Sequence, residues 1–293
     1  MKLQKECITC IIAQVKTVTN MLGLSEPQRE AAMRDTLCYL DNANFDACTP
    51  VSMGELWQIL LGHVGGGDPY AKIKSLCNSE AMRMIPSTRE KIERSDDPLA
   101  VALKYAIAGN LIDYGLERPV SVDEQNAQID FIASTQFSID DSAALRDALG
   151  RAKTMLYLGD NAGEIVFDKL LIEQLRRAYP HLAITFVVKG SAVLNDVTLT
   201  DAQEVKMEDV ARVIDNGDCA PGTVLPQTSE AFQREFAQAD AILSKGQGNF
   251  ESLSGVDKED MFFLFTAKCE TICNEVGVAK RSIVCLKNRV FLD

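Results

Sequence analysis

Asp160 and Asn161 set two oxygen-bearing side chains next to each other in Gly159-Asp160-Asn161-Ala162-Gly163-Glu164. Asp, Asn and Gly also build ordinary turns and helix caps, so the run gains weight only from its echoes. Lys189-Gly190-Ser191-Ala192-Val193-Leu194-Asn195-Asp196 is one echo, and Ser244-Lys245-Gly246-Gln247-Gly248-Asn249-Phe250-Glu251 is another. Asp160, Asn161 and Asp196 offer carboxylate and amide oxygens, with neither sulfur nor imidazole. Such ligands suit hard divalent ions, Mg2+ or Mn2+, that keep several waters and share a substrate phosphate. Lys189 and Lys245 add positive charge beside such an ion, while Gly246 and Gly248 would let backbone N–H groups approach an anion. This is equipment for phosphoryl transfer to water, where positioning and charge neutralisation are the catalytic tasks. Neither a Walker A motif nor GxGxxG is present.

Each run follows a short apolar stretch with the length of a buried strand, at 154–158, 184–188 and 241–243. After the first, Phe167, Leu171 and Leu175 recur at helical spacing until Pro180. The carboxyl ends of parallel strands converge on one rim, where open α/β sheets place their ligands. Strands are expected at 154–158, 184–188, 211–214, 240–243, 261–266 and 282–286, with a loop over 215–228; alternation with helices implies a doubly wound, predominantly parallel sheet. The chain before it reads as helical. Helices are expected over 8–22 and 26–42, then from a capping box at Ser52-Met53-Gly54-Glu55, from Asp68-Pro69-Tyr70, and from Asp97-Pro98 through 114. Residues 1–150 thus form an all-helical region and 151–293 a three-layer α/β domain.

The 293 residues carry a net charge of −12. That disfavours nucleic acid and anionic membrane surfaces as partners, since phosphate binding would need a basic face. A small anionic substrate is compatible, because a few lysines and a metal ion reverse the potential inside one pocket. No apolar run is long enough to span a membrane, and no signal-peptide core follows Met1. Nine cysteines without small-scaffold spacing read as reduced thiols in a cytosol. Only His63 and His181 are available, so a His-rich zinc site or a Ser/His/Asp triad is hard to assemble. Cys7-x-x-Cys10 has three readings: two buried cysteines, a redox pair, or half of a zinc site whose other pair is missing. Gly109-Asn110 interrupts a helical run, which suits close packing against another helix or the roof of a site.

The motifs taken in order resemble one family. Cys7-x-x-Cys10, Asp68-Pro69-Tyr70, Ala108-Gly109-Asn110-x-Ile112-Asp113, Gly159-Asp160-Asn161-Ala162-Gly163-Glu164, Lys189-Gly190 with Asn195-Asp196, Lys245-Gly246-x-Gly248-Asn249-x-Glu251 and Ala267-Lys268-Cys269 are similar to the damage-control phosphatases, specifically the CxxC-containing prokaryotic subfamily of the ARMT1-like class. The resemblance implies a helical region on a Rossmann-like α/β domain and metal-dependent hydrolysis of small phosphorylated metabolites. It implies a divalent ion, Mn2+ or Mg2+ with Co2+ or Ni2+ as further options, held by Asp160, Asn161 and Asp196. It places Lys245 at the transferred phosphoryl group, and Glu164, Lys189, Gly246 and Asn249 at the substrate. Two other classes stay open. An S-adenosylmethionine-dependent carboxyl methyltransferase would want an acidic residue after the second strand, where Lys189 stands. A non-catalytic metal or metabolite sensor would need only the binding half of the site.

Overall fold

The computed structural model describes residues 1–109 and 121–289. Five helices come first: α1 (Lys5–Met21), α2 (Glu26–Asp41), α3 (Thr49–Val64), α4 (Ala71–Arg94) and α5 (Pro98–Ala108). Asp97 caps α5 by accepting the Ala100 N–H at 3.1 Å, and Pro98 occupies its first turn, as the sequence implies. The third helix starts earlier than expected. Cys48 is its N-cap and Pro50 lies in its first turn, so Ser52 is buried inside the helix and caps nothing. The Asp68 signal is displaced too: Tyr70 is the N-cap of α4, and Asp68 accepts the Tyr70 N–H in the turn before it. Asn110 and the expected continuation of α5 to 114 lie outside the described residues.

The remaining elements are α6 (Val122–Ser134), β1 (Ile139–Asp140), α7 (Ser142–Arg151), β2 (Thr154–Leu158), α8 (Glu164–Ala178), β3 (Ala183–Val188), α9 (Leu199–Glu204), β4 (Arg212–Asp215), α10 (Glu230–Gln238), β5 (Ala241–Lys245), α11 (Gln247–Leu253), β6 (Met261–Thr266), α12 (Glu270–Val276) and β7 (Ile283–Lys287). The strands form one sheet in the order β1-β7-β6-β5-β2-β3-β4, parallel except where β6 meets β7. The fold is α/β. The sheet begins before residue 151, because β1 pairs with β7; two residues are too short to give a period-2 signal.

Strand alternation assigns the two faces. Met155 and Tyr157 of β2 join one apolar cluster with α4, α5, α7 and α8, while Leu156 and Leu158 join the other with α10, α11 and α12. Helices therefore cover both faces. A separate cluster of α1, α2 and α3 residues closes on Val193, in the loop between β3 and α9. Among the described residues no helix is long and apolar enough to cross a membrane.

Gly109 settles one sequence reading. A Cβ there would meet Phe167 Cδ2 at 2.7 Å and Glu164 Cα at 3.1 Å, so the end of α5 packs directly on the first turn of α8. The partner is another helix, and it is the helix that carries the third carboxylate of the rim.

Candidate functional site

The sheet reverses its winding between β2 and β5. From β2 the chain proceeds outward through β3 and β4, and from β5 it proceeds outward the other way through β6. A crevice forms at the carboxyl ends of such a pair of strands. Asp160 follows β2 and Gly246 follows β5, and there they touch. Gly246 has φ +81°, and any Cβ on it would overlap the Asp160 carboxylate. Gly246 therefore supplies space, and its N–H is spent on Leu264 O at 3.0 Å within the ladder. The expectation that this N–H faces an anion is corrected accordingly. Gly246→Ala is expected to push the Asp160 carboxylate aside and to weaken Mn2+ binding by about 10–100-fold, the cost typical of disturbing a ligand's support. Mn2+ titration by electron paramagnetic resonance checks it, with circular dichroism showing the fold retained.

Asp160 and Asp196 are brought together by backbone pairing of their loops. Asn161 and Asp196 form an antiparallel bridge, Ala162 N–H donates to Asn195 O at 2.9 Å, and Val197 N–H donates to Asp160 O at 2.9 Å. Asn161 Nδ2 donates to Asp160 Oδ2 at 2.6 Å, and the Asn161 N–H reaches Glu164 Oε2 at 3.4 Å. Asp160, Glu164 and Asp196 are all buried. Burial, then the Glu164 and Asp196 carboxylates, push Asp160 well above the usual carboxylate range, with Lys268 and Lys189 pulling the other way. Burial likewise pushes Asp196 up, to about 6, against the pull of Lys189 and Lys74. Lys189 is itself buried, donates to Gly222 O, and lies 3.6 Å from Asp196 Oδ2 as an ion pair.

The donor chemistry fits a hard divalent cation. Asp196 Oδ2 is buried and, beyond its 3.6 Å ion pair with Lys189, accepts no hydrogen bond, which leaves it lone pairs to offer a bound ion. Asp160 and Asn161 supply further oxygens beside it. Among the described residues no three His, Cys, Asp or Glu side chains by themselves form a metal-holding group, so an ion at this rim would draw on two carboxylates and an amide.

Lys245 lies elsewhere than the sequence implies. It is fully buried, and its ammonium donates to Asp168 Oδ1 at 2.6 Å, Glu164 Oε1 at 2.7 Å and Ala106 O at 2.8 Å. An ammonium has three N–H bonds, and all three are engaged by protein. Burial opposes its charge, but Asp168 and Glu164 outweigh burial and hold it above the usual lysine range. Lys245 therefore fixes Glu164 from behind and has no donor left for a phosphoryl oxygen. Asn249 is also turned inward. Its Nδ2 donates to Lys245 O at 2.7 Å and Gly159 O at 3.3 Å, and its Oδ1 accepts the Thr223 hydroxyl at 2.8 Å. It clamps β2, β5 and the 215–228 loop together. Gly248 packs against the same loop, at Pro221 O. Of the expected substrate residues, Glu164 and Lys189 reach the rim, while Gly246 and Asn249 support it.

Several residues went unnoticed in the sequence. On α4, Asn78 Oδ1 accepts the Gly163 N–H at 2.7 Å, and Asn78 Nδ2 donates to Glu204 Oε2 at 2.8 Å. One turn earlier Lys74 donates to Asp68 Oδ2 at 2.7 Å, Asp201 Oδ2 at 2.8 Å and Asp196 O at 3.4 Å. One face of α4 thus grips both loops that carry the oxygen donors, with the spacing i, i+4 as its only sequence signal. On α8, Asp168 is also i+4 from Glu164; its Oδ1 accepts from Tyr157 at 2.6 Å as well as from Lys245. Two carboxylates one turn apart aimed at one lysine were legible as a pattern, but not as buried. Trp57 completes the grip from α3, donating its indole N–H to Ala192 O at 2.7 Å. The Cys7-x-x-Cys10 reading as two buried thiols is corrected: Cys10 is exposed and Cys7 half-buried.

Residues 3–284 match the family model of the damage-control phosphatase ARMT1-like domain. The chain is 32% identical over 290 residues to a damage-control phosphatase of Pyrococcus horikoshii, an alignment covering 99% of each. It is 34% identical over 219 residues to a damage-control phosphatase of Archaeoglobus fulgidus, covering 73% of this chain and 74% of that one. The crystal structure of a DUF89 family protein from Pyrococcus horikoshii superposes with a TM-score of 0.92 at 30% identity, over 99% of this chain and 100% of that one.

Proposed function

The chain belongs to the damage-control phosphatase ARMT1-like family, and from that premise we propose that it is a metal-dependent phosphatase of small phosphorylated metabolites, working at the rim of Asp160, Asn161 and Asp196. The observation that carries the reading is the crowding of buried Asp160, Glu164 and Asp196 at the strand ends, with Asp196 Oδ2 accepting no hydrogen bond. A phosphate dianion cannot approach such a cluster unless a cation neutralises it. Mn2+ or Mg2+ held by Asp160, Asn161 and Asp196 would supply that charge and polarise a phosphoryl oxygen. Glu164, fixed by Lys245, orients the Asn161 main chain. Lys189 balances Asp196 from inside. Lys268, exposed at the end of β6 and close enough to act on Asp160, is the cation on the solvent side and the one assigned to the substrate phosphate. The site stands inside the chain's helical and α/β halves alike, which favours treating 1–150 and 151–293 as two parts of one catalytic unit.

The test is phosphate release from a panel of sugar phosphates with Mn2+, Mg2+, Co2+ or Ni2+. Metal-dependent release supports the reading. Metal binding without release would make the protein a sensor, and methyl transfer from S-adenosylmethionine without release would make it a methyltransferase.

Proton linkage gives a second check. A carboxylate must be deprotonated to ligate a metal. With Asp196 at about 6, Mn2+ binding should release roughly one proton or more below that pH, and affinity should fall about tenfold per unit as pH drops further. Titration calorimetry in buffers of different ionisation enthalpy reads the proton count directly. A count of zero at pH about 5 would remove Asp196 from the ligand set.

A further inference from the structure

The oxygen donors of the rim come from two separate loops, so the spacing of those loops decides which ion fits between them. Asp160 and Asn161 lie between β2 and α8, and Asp196 lies between β3 and α9. Backbone pairing ties the loops on one side, through the bridge of Asn161 with Asp196. A second tie runs through α4 and is made of side chains. Asn78 is fully buried; its Oδ1 accepts the Gly163 N–H at 2.7 Å, and its Nδ2 donates to Glu204 Oε2 at 2.8 Å, on the last residue of α9. A carboxamide carries an acceptor and a donor on one planar end, so it holds an amide N–H and a carboxylate at once. Turning it over would set its NH2 against the Gly163 N–H and its oxygen against Glu204, so the two partners fix its orientation. One turn earlier, Lys74 donates to Asp196 O at 3.4 Å and to Asp201 Oδ2 at 2.8 Å. The same Asp201 oxygen accepts the Thr198 N–H and the Thr198 hydroxyl, each at 2.8 Å. The stretch from Asp196 to Glu204 is therefore one braced unit, and Asn78 spaces it from Gly163.

Divalent ions differ in how much slack they tolerate. Mg2+ demands near-ideal octahedral geometry at short range, whereas Ca2+ accepts longer and more variable oxygen distances. We propose that Asn78 is a specificity-determining positioning residue, which holds the two loops at the spacing of a small divalent ion and disfavours Ca2+. The proposal rests on the reading of Asp160, Asn161 and Asp196 as the ligand set. Asn78 acts through the main chain at Gly163 and through α9 at Glu204, the two elements that flank those ligands. Its neighbour Lys74 is less suited to a test. Removing that ammonium would leave Asp68 and Asp201 without their shared cation and would disturb the fold first.

The experiment loads the full-length protein with Mn2+, follows the ion by electron paramagnetic resonance, and displaces it with Mg2+ or Ca2+. Asn78→Leu keeps roughly the side-chain volume and removes both hydrogen bonds. Mg2+ affinity should fall about 10–100-fold, the usual cost of losing a ligand's support. Ca2+ affinity should fall by less than about threefold, so the preference moves towards Ca2+ by several-fold or more. A loss of stability alone would lower both affinities with the folded fraction, which circular dichroism supplies, and would leave their ratio unchanged. Glu204→Ala cuts the tie at its α9 end, on a partly exposed residue, and should move the ratio the same way by a smaller factor. It decides the matter if Asn78→Leu fails to fold. Combining the two should move the ratio no further than Asn78→Leu alone, because both cut one tie. Equal losses for the two ions, in whichever variant folds, would overturn the proposal and leave the rim reading intact. Wild type that takes up no Mn2+ would instead overturn the rim reading, and the proposal with it.

Discussion

Asp196→Asn is expected to lower metal-dependent phosphatase turnover by at least about 10³-fold, since several kcal/mol of transition-state charge stabilisation rest on the bound ion. The substitution keeps shape and removes charge from a rim carboxylate whose Oδ2 is buried and accepts no hydrogen bond. The fold should survive. Asp196 contributes its carbonyl to Lys74 and its main chain to the bridge with Asn161, and asparagine preserves both. The measurement is turnover against Mn2+ concentration, paired with Mn2+ affinity. Wild-type affinity with wild-type turnover would remove Asp196 from the site. Lost affinity with turnover restored by excess metal would confirm a ligand role and limit it to binding.

Lys245→Met should act on the fold first. It leaves Glu164 and Asp168 buried with no cation between them, and breaking a buried ion pair from one side costs about 3–5 kcal/mol. A melting point lower by on the order of 10 °C follows for a chain of this size. The loss should depend on pH, and the sign is fixed by the surroundings of Asp168. Burial sets its pKa at about 7, with Lys245 pulling it down and Glu164 pushing it up. Removing Lys245 raises it further, so at low pH a proton takes over part of the neutralising role. The deficit against wild type should therefore be smaller at pH about 6 than at pH about 9, where Asp168 would have to ionise unpaired. Adding Asp168→Asn to Lys245→Met should recover part of the stability. If Lys245→Met melted like wild type but turned over about 10²–10³-fold more slowly with metal bound, Lys245 would belong at the phosphoryl group after all.

The contrast between Asp196 and Lys245 marks how far residue types carry an argument. Which atoms the strand-end runs carry could be read directly, and the fold brings Asp160, Asn161 and Asp196 of two of those runs together. The strand positions after residue 151 were equally legible, because buried parallel strands are continuous apolar runs bounded by Gly, Lys and Asp, whereas the two-residue β1 was not. Depth was not. A lysine after Ala241-Ile242-Leu243-Ser244 resembles a lysine on a rim, yet β5 is buried through its last residue, so the side chain turns under the sheet end to meet α8. The same blindness hid Lys74 and Asn78. Nothing in their own stretch says that α4 lies over the β2 and β3 loops, since that placement follows from how the two halves pack. The start of α3 was missed for a local reason: Pro50 in a first turn competed with a plausible capping box and prevailed.

The meeting of Asp160 with Gly246 bears on how the protein comes to exist in the first place. β2 is made before either of its partners and pairs on one side with β3, its next strand, but its other neighbour is β5. The whole arm of β3, β4 and α10 must be built and folded aside before β5 can dock, and non-local parallel pairing of this kind is slow. Until then Asp160 has no floor and Glu164 no counter-charge. An emerging chain on the ribosome should therefore hold no metal until the stretch through Asn249 has cleared the exit tunnel, however complete its three oxygen donors already are.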